Sequence, residues 1–147
     1  MGDCRLTSIF QNRHESFTEN PGKFWFGEDF MEYFLGFPEY TLPWNTVDVL
    51  YLPLNIQKEH WVLCVVHLQE WRIDVYDCDQ TVYPGERFEA CIQPLCEMIP
   101  YFLVEAMLSE QEKARYPKLS VTKLDFHRIP HPTLPKATSS GDCGFFL

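Results

Sequence analysis

The sequence predicts an α+β fold with a central sheet flanked by helices, and three observations carry that reading. Two β-rich apolar runs, residues 47–52 and 61–66, are separated by a short polar stretch. A third run, residues 71–77, alternates so that Trp71, Ile73 and Val75 share one face. Further on, Phe88, Cys91, Ile92, Leu95 and Ile99 recur at the spacing of an amphipathic helix. With 147 residues, 46% of them hydrophobic and 16% aromatic, the chain can bury a core without a disulfide scaffold or a structural metal.

Taken in order, residues 1–44 form an aromatic-rich lead-in to the sheet and motifs of residues 45–147, the whole reading as one domain over 1–147. Asn20-Pro21-Gly22, Gly36 and Pro38 punctuate the lead-in and predict short helices and loops, one of them over 28–35 with Phe30, Met31 and Phe34 at helical spacing. Pro53 bounds the first predicted strand, and residues 55–58 form the turn to the second. That second run is apolar on both parities, as expected of a central strand covered on both faces. Gln69-Glu70 makes a tight connection to the third strand. The helix over 87–99 is expected to kink at Pro94 and stop at Pro100. Residues 101–108 read as a further helical segment, 109–113 as a solvated stretch, and 119–129 as a strand with a slip in register. Pro130, Pro132 and Pro135 then form a stiff loop leading to Ser139-Ser140-Gly141-Asp142-Cys143-Gly144.

Charge and hydropathy narrow the function. Twelve Lys and Arg face 21 Asp and Glu, a net charge of -9, whereas neutralising nucleic-acid phosphates needs the opposite sign. The longest apolar run, 61–66, is far below the ~20 residues that span a bilayer, and no secretory signal is visible, so the six cysteines are expected to be reduced. No nucleic-acid partner, membrane or cofactor is expected.

Chemistry is concentrated in three residues. His60 opens the central strand and Asp77 closes its predicted hairpin partner, so both side chains fall at one edge of the sheet. A carboxylate there can fix an imidazole tautomer and stabilise its cation. A half-exposed histidine and a strand-ending aspartate are the plainer alternative. Cys143 lies among Gly141, Asp142 and Gly144, which let the backbone approach a substrate closely, and a thiol beside a protonated histidine is available as thiolate near neutral pH. As metal ligands, Cys91 and Cys96 are five apart on a helix and so off one face, and Pro130 interrupts the pair His127 and His131.

The segments Asp48-Val49-Leu50-Tyr51-Leu52-Pro53-Leu54-Asn55, His60-Trp61, Val75-Tyr76-Asp77-Cys78 and Ser140-Gly141-Asp142-Cys143-Gly144 together resemble the ubiquitin-like-protein (SUMO, or sentrin-specific) protease family, most nearly its plant and transposon-associated branch. The resemblance covers about residues 44–147, with the motifs in the family's order. It implies a papain-like cysteine protease fold with His60 as general base, Asp77 as its orienter and Cys143 as nucleophile. It further implies cleavage after the di-glycine C-terminus of a SUMO-like modifier, with Trp61 and Gly144 lining the substrate channel, and an intracellular, nuclear location. Three features depart from the family pattern. Ala137 stands where the family has an oxyanion-hole glutamine, only four residues follow Cys143 where a long helix is expected, and the family's leading Trp-Leu helix has no match. The chain accordingly reads as clipped at both ends, and a catalytically dead, modifier-binding remnant is the alternative function.

Overall fold

The computed structural model describes residues 4–130. The fold is α+β, with four helices and a four-stranded mixed sheet among those residues. Strand β1 (Val49–Ile56), β2 (His60–His67), β3 (Arg72–Tyr76) and β4 (Asp125–Arg128) lie side by side in chain order. β1–β2 and β2–β3 are antiparallel hairpin neighbours, whereas β4 returns parallel to β3. A parallel return needs a crossover. Helix α3 (Glu86–Ala106) and the short α4 (Glu110–Arg115) supply it.

One face of the sheet carries the core. Leu50, Leu52, Leu54 and Ile56 of β1 pair with Val66, Cys64, Val62 and His60 of β2, and Ile73 and Val75 of β3 continue the same face. Helix α1 (Cys4–Glu19) packs Leu6, Phe10 and Phe17 into this core, and α2 (Glu28–Leu35) packs Phe30, Tyr33 and Phe34. The aromatics of the lead-in meet at Phe102 of α3, whose ring lies 5.3–6.0 Å from those of Phe26, Phe30, Phe34 and Trp44. The opposite face is partly open, with Tyr51 and Tyr76 exposed and Trp61 and Leu63 half-buried. β2 itself has no exposed residue, its second face carrying buried Val65 and half-buried Trp61, Leu63 and His67.

Several sequence expectations are corrected. The lead-in opens with a 16-residue helix rather than short pieces, because its breakers Asn20, Pro21 and Gly22 all follow the helix. Pro53 lies inside β1 instead of ending it. Its carbonyl accepts the Thr7 hydroxyl at 2.8 Å, so the residue's hydrogen-bonding side faces α1, where the ladder needs no N–H. Asn55, two residues on, accepts Gln11 Nε2 at 3.2 Å, and α1 thereby covers this half of the sheet edge.

Pro100 likewise fails to stop α3, which runs unbroken through Pro94 and Pro100. The missing Pro100 N–H leaves the Cys96 carbonyl without its helical partner, and Leu124 N donates to it at 3.0 Å. Of the predicted separate segment over 101–108, residues 101–106 are the end of this helix. The solvated stretch 109–113 contains most of α4, which begins at a capping box in which Ser109 and Glu112 satisfy each other's backbone N–H. The strand expected over 119–129 shortens to β4.

The Thr7 contact yields a stability prediction. Thr7→Val keeps the shape but leaves the Pro53 carbonyl without its protein donor at a buried site, and is expected to lower unfolding free energy by ~1–3 kcal/mol. Urea titration checks this, with the midpoint falling and the slope unchanged.

Candidate active site

The site begins with a tight turn. Gln57 and Lys58 both adopt left-handed backbone, φ 52° and 62°, and Glu59 N donates to Ile56 O at 3.0 Å, a turn whose twist suits a hairpin. It delivers His60 to the first position of β2, facing the core. At the far side of the next hairpin, Leu63 pairs with Tyr76, so Asp77 follows directly on the end of β3 and on the same face as His60. His60 Nε2 and Asp77 Oδ1 are 2.7 Å apart, with His60 1% and Asp77 0% exposed. The histidine is thus buried, in contrast to the half-exposed alternative.

Asp77 is held from three sides. Besides His60, its Oδ1 accepts Asp79 N at 3.0 Å, and its Oδ2 accepts Arg128 Nε at 3.1 Å together with Arg128 Nη2. Burial alone would raise its pKa, but the hydrogen bonds from His60, Arg128 and the Asp79 backbone outweigh it and hold the carboxyl below its usual range. An ionised carboxylate only accepts, so His60 Nε2 carries the hydrogen of their bond and Nδ1 is the basic nitrogen in the neutral ring. Tyr83 stacks on the imidazole with ring centres 6.0 Å apart, and its hydroxyl donates to Gln57 Oε1 at 3.0 Å. Arg128 Nη1 in turn donates to the Tyr83 carbonyl at 2.8 Å, and its guanidinium lies 4.1 Å over the Phe88 ring.

Of the residues singled out in the sequence, His60 and Asp77 are brought together. Trp61 is half-buried beside His60 on the opposite face of β2. Cys143, Gly144 and Ala137 lie outside the described residues. Tyr83 and Arg128 were not singled out. Tyr83 sits in an irregular loop, and Arg128 is brought in by a crossover that leaves no periodic signal. Among the described residues no group of three or more His, Cys, Asp or Glu could hold a metal ion. Cys96 is buried, Cys91 bonds the Arg87 carbonyl at 3.2 Å, and His127 is exposed on β4, while His131 lies outside the described residues. No helix of the described residues is long and apolar enough to cross a membrane.

Residues 3–147 match the Ulp1 protease family, C-terminal catalytic domain, and the chain belongs to that family. Among solved structures, it is similar to the SUMO protease Ulp1 with its catalytic cysteine oxidised to a sulfonic acid, at 17% identity and a TM-score of 0.46, covering 70% of this chain and 39% of that one. It is similar also to the C-terminal Ulp1 protease domain in complex with Smt3, the yeast ortholog of SUMO, at 18% identity and a TM-score of 0.43, covering 69% of this chain and 38% of that one. A third likeness is to the Chaetomium thermophilum Ulp1-like SUMO protease catalytic domain, at 20% identity and a TM-score of 0.38, covering 70% and 33%. The chain spans less than two fifths of the length of each of these structures. Comparison with curated sequences finds no match.

The lowered carboxyls make an acid-stability prediction. Asp77, Asp74 and Glu97 all titrate below their ordinary values, each because hydrogen bonds outweigh the upward push of burial. Their contribution to stability is complete above the unfolded pKa of about 4 and is lost as pH falls through the lower folded values. The thermal midpoint is expected to be level between about pH 7 and 5 and to fall below about pH 4. In Asp77→Asn the difference between the neutral and acid midpoints shrinks.

Proposed function

We propose that the chain is a thiol-dependent peptidase or isopeptidase that cleaves after the C-terminal di-glycine of a SUMO-like modifier, with Cys143, His60 and Asp77 as nucleophile, base and orienter. The observation that carries this reading is the buried, hydrogen-bonded pair of His60 and Asp77 within a domain of the Ulp1 protease family. The motif around Cys143 supplies the third member.

The steps follow from the charge states. His60 Nδ1 takes the Cys143 proton, and Asp77 stabilises the imidazolium that results. The thiolate attacks the carbonyl carbon of the terminal glycine, the tetrahedral intermediate collapses, and the imidazolium returns the proton to the departing amine. Water then hydrolyses the thioester with His60 again as base. Trp61 and Gly144 line the passage for the two glycines. Three other thiols are unsuited to this role. Burial pushes Cys64 and Cys91 up and takes Cys96 to about 12, so none supplies a thiolate at neutral pH. A SUMO-like partner and a nuclear site of action complete the reading.

A fluorogenic amide on a SUMO C-terminus tests it. Cys143→Ala is expected to abolish turnover, and Asp77→Asn to reduce it by up to ~10,000-fold through loss of the correct tautomer. An alkylating agent near pH 7 is expected to label Cys143 faster than Cys78, and more slowly after His60→Ala. Equal rates at the two thiols would count against an activated nucleophile.

Ala137 favours a second reading, a modifier-binding domain without turnover, because its side chain cannot donate to an oxyanion. Under the first reading, Ala137→Gln is expected to raise kcat by ~10 to 1000-fold with little change in KM, since that donor acts on the transition state. A SUMO-based thiol probe separates the two, forming an adduct only in the active case.

A further inference from the structure

We infer that Arg128 is a positioning residue for the dyad, using its guanidinium fork to lock the outer oxygen of Asp77 so that the inner oxygen is directed at His60. This rests on the proposed role of the dyad. It extends that reading to a residue 51 positions beyond Asp77, on a different strand.

The geometry supports a built clamp rather than a chance ion pair. Arg128 shares a sheet face with Val75, its partner on β3, and the end of that strand sets Asp77 beside it. Nε and Nη2 both reach Oδ2, Nη1 holds the Tyr83 carbonyl at 2.8 Å, and the guanidinium plane is 4.1 Å from the centre of the Phe88 ring. All three nitrogens are therefore used, and the Arg128 side chain is only 15% exposed. A lysine placed here brings one charge but no fork, and cannot bridge Asp77 and Tyr83 together. Arg128 thus ties the ring-stacking residue Tyr83 and the orienting carboxylate to one rigid group.

Among the described residues, other charged or titratable groups near the pair are Asp79 in the turn after β3, Tyr83 against the imidazole, Glu59 and Arg87 beside Tyr83, and the buried Cys64. Arg128 is the cation that forks onto the carboxylate.

The test compares Arg128→Met and Arg128→Lys in the full chain, with His127→Ala on the exposed face of β4 as the control. The tautomer of the His60 imidazole is read by 15N NMR, and kcat and KM are measured on the SUMO amide. In Arg128→Met and in Arg128→Lys the fixed Nε2–H tautomer is expected to give way to a mixture, and kcat to fall by ~10 to 100-fold at unchanged KM, because the orientation of Asp77 is lost. The His127→Ala control retains the wild-type values. A merely structural arginine would lower thermal stability in both variants while leaving the tautomer and the per-molecule kcat in place, and that outcome overturns the proposal. If Arg128→Met does not fold, the Lys variant decides alone, a wild-type tautomer and kcat overturning the clamp. If wild-type protein shows no turnover, the protease reading fails separately, and the tautomer in the folded variants still supports or refutes the clamp.

Discussion

Burying the Asp77 carboxylate is the constraint around which one end of the fold is arranged. An isolated ion at that depth would take up a proton rather than stay charged, since desolvation outweighs everything except well-placed donors. Here the donors come from three separate places: His60 at the start of β2, the Asp79 backbone in the turn after β3, and Arg128 on β4. The Asp79 amide is local, two residues on, but the other two donors cannot arrive without the sheet. The ladder between β2 and β3 has to be in register for His60, and β4 has to lie parallel to β3, with Val75 beside Arg128, for the guanidinium to arrive.

That second requirement reaches into the helices. A parallel strand beside β3 can be reached only by carrying the chain across the core face, and α3 does this while burying Phe88, Ile92, Leu95, Ile99 and Phe102. The proline in its last third is accommodated at the same place where the chain comes back. Leu124 N bonds the Cys96 carbonyl that Pro100 leaves open, immediately before β4 begins at Asp125. The defect in the helix thus becomes the docking point that leads Arg128 to Asp77.

These dependencies explain what was legible in the sequence. His60 and Asp77 could be placed together because a hairpin relates them through local register, and alternation within 71–77 reports that register directly. Helix α2 was legible for the same reason, its apolar spacing being complete within eight residues. Arg128 was not, because parallel pairing after a long crossover is a tertiary fact, and β4 is only four residues long. The errors at Pro53 and Pro100 have one origin. Proline removes a donor, but whether that matters depends on what faces the gap, a Thr7 hydroxyl near one and the Leu124 amide at the other. The start of α4 was readable as a Ser-x-x-Glu capping box, and treating 109–113 only as a charged stretch passed over it.

The same hairpin contains a second pairing of the same residue types, and the contrast shows why residue identity alone does not define the site. His67 Nε2 lies 2.9 Å from Asp74 Oδ2, much as His60 lies from Asp77. In both cases the pair spans β2 and β3 diagonally. His67 and Asp74, however, project from the outer face, with side chains 21% and 12% exposed, and Asp74 is bonded by Arg72 from its own strand. That pair is part-buried and keeps some access to water, which His60 and Asp77 lack. His60 and Asp77 project inward, where the dielectric is low, the carboxylate has no water to turn toward, and a cation from a distant strand holds its second oxygen. An imidazole of fixed orientation arises from that enclosure, and one change of strand face separates it from the part-buried pair beside it.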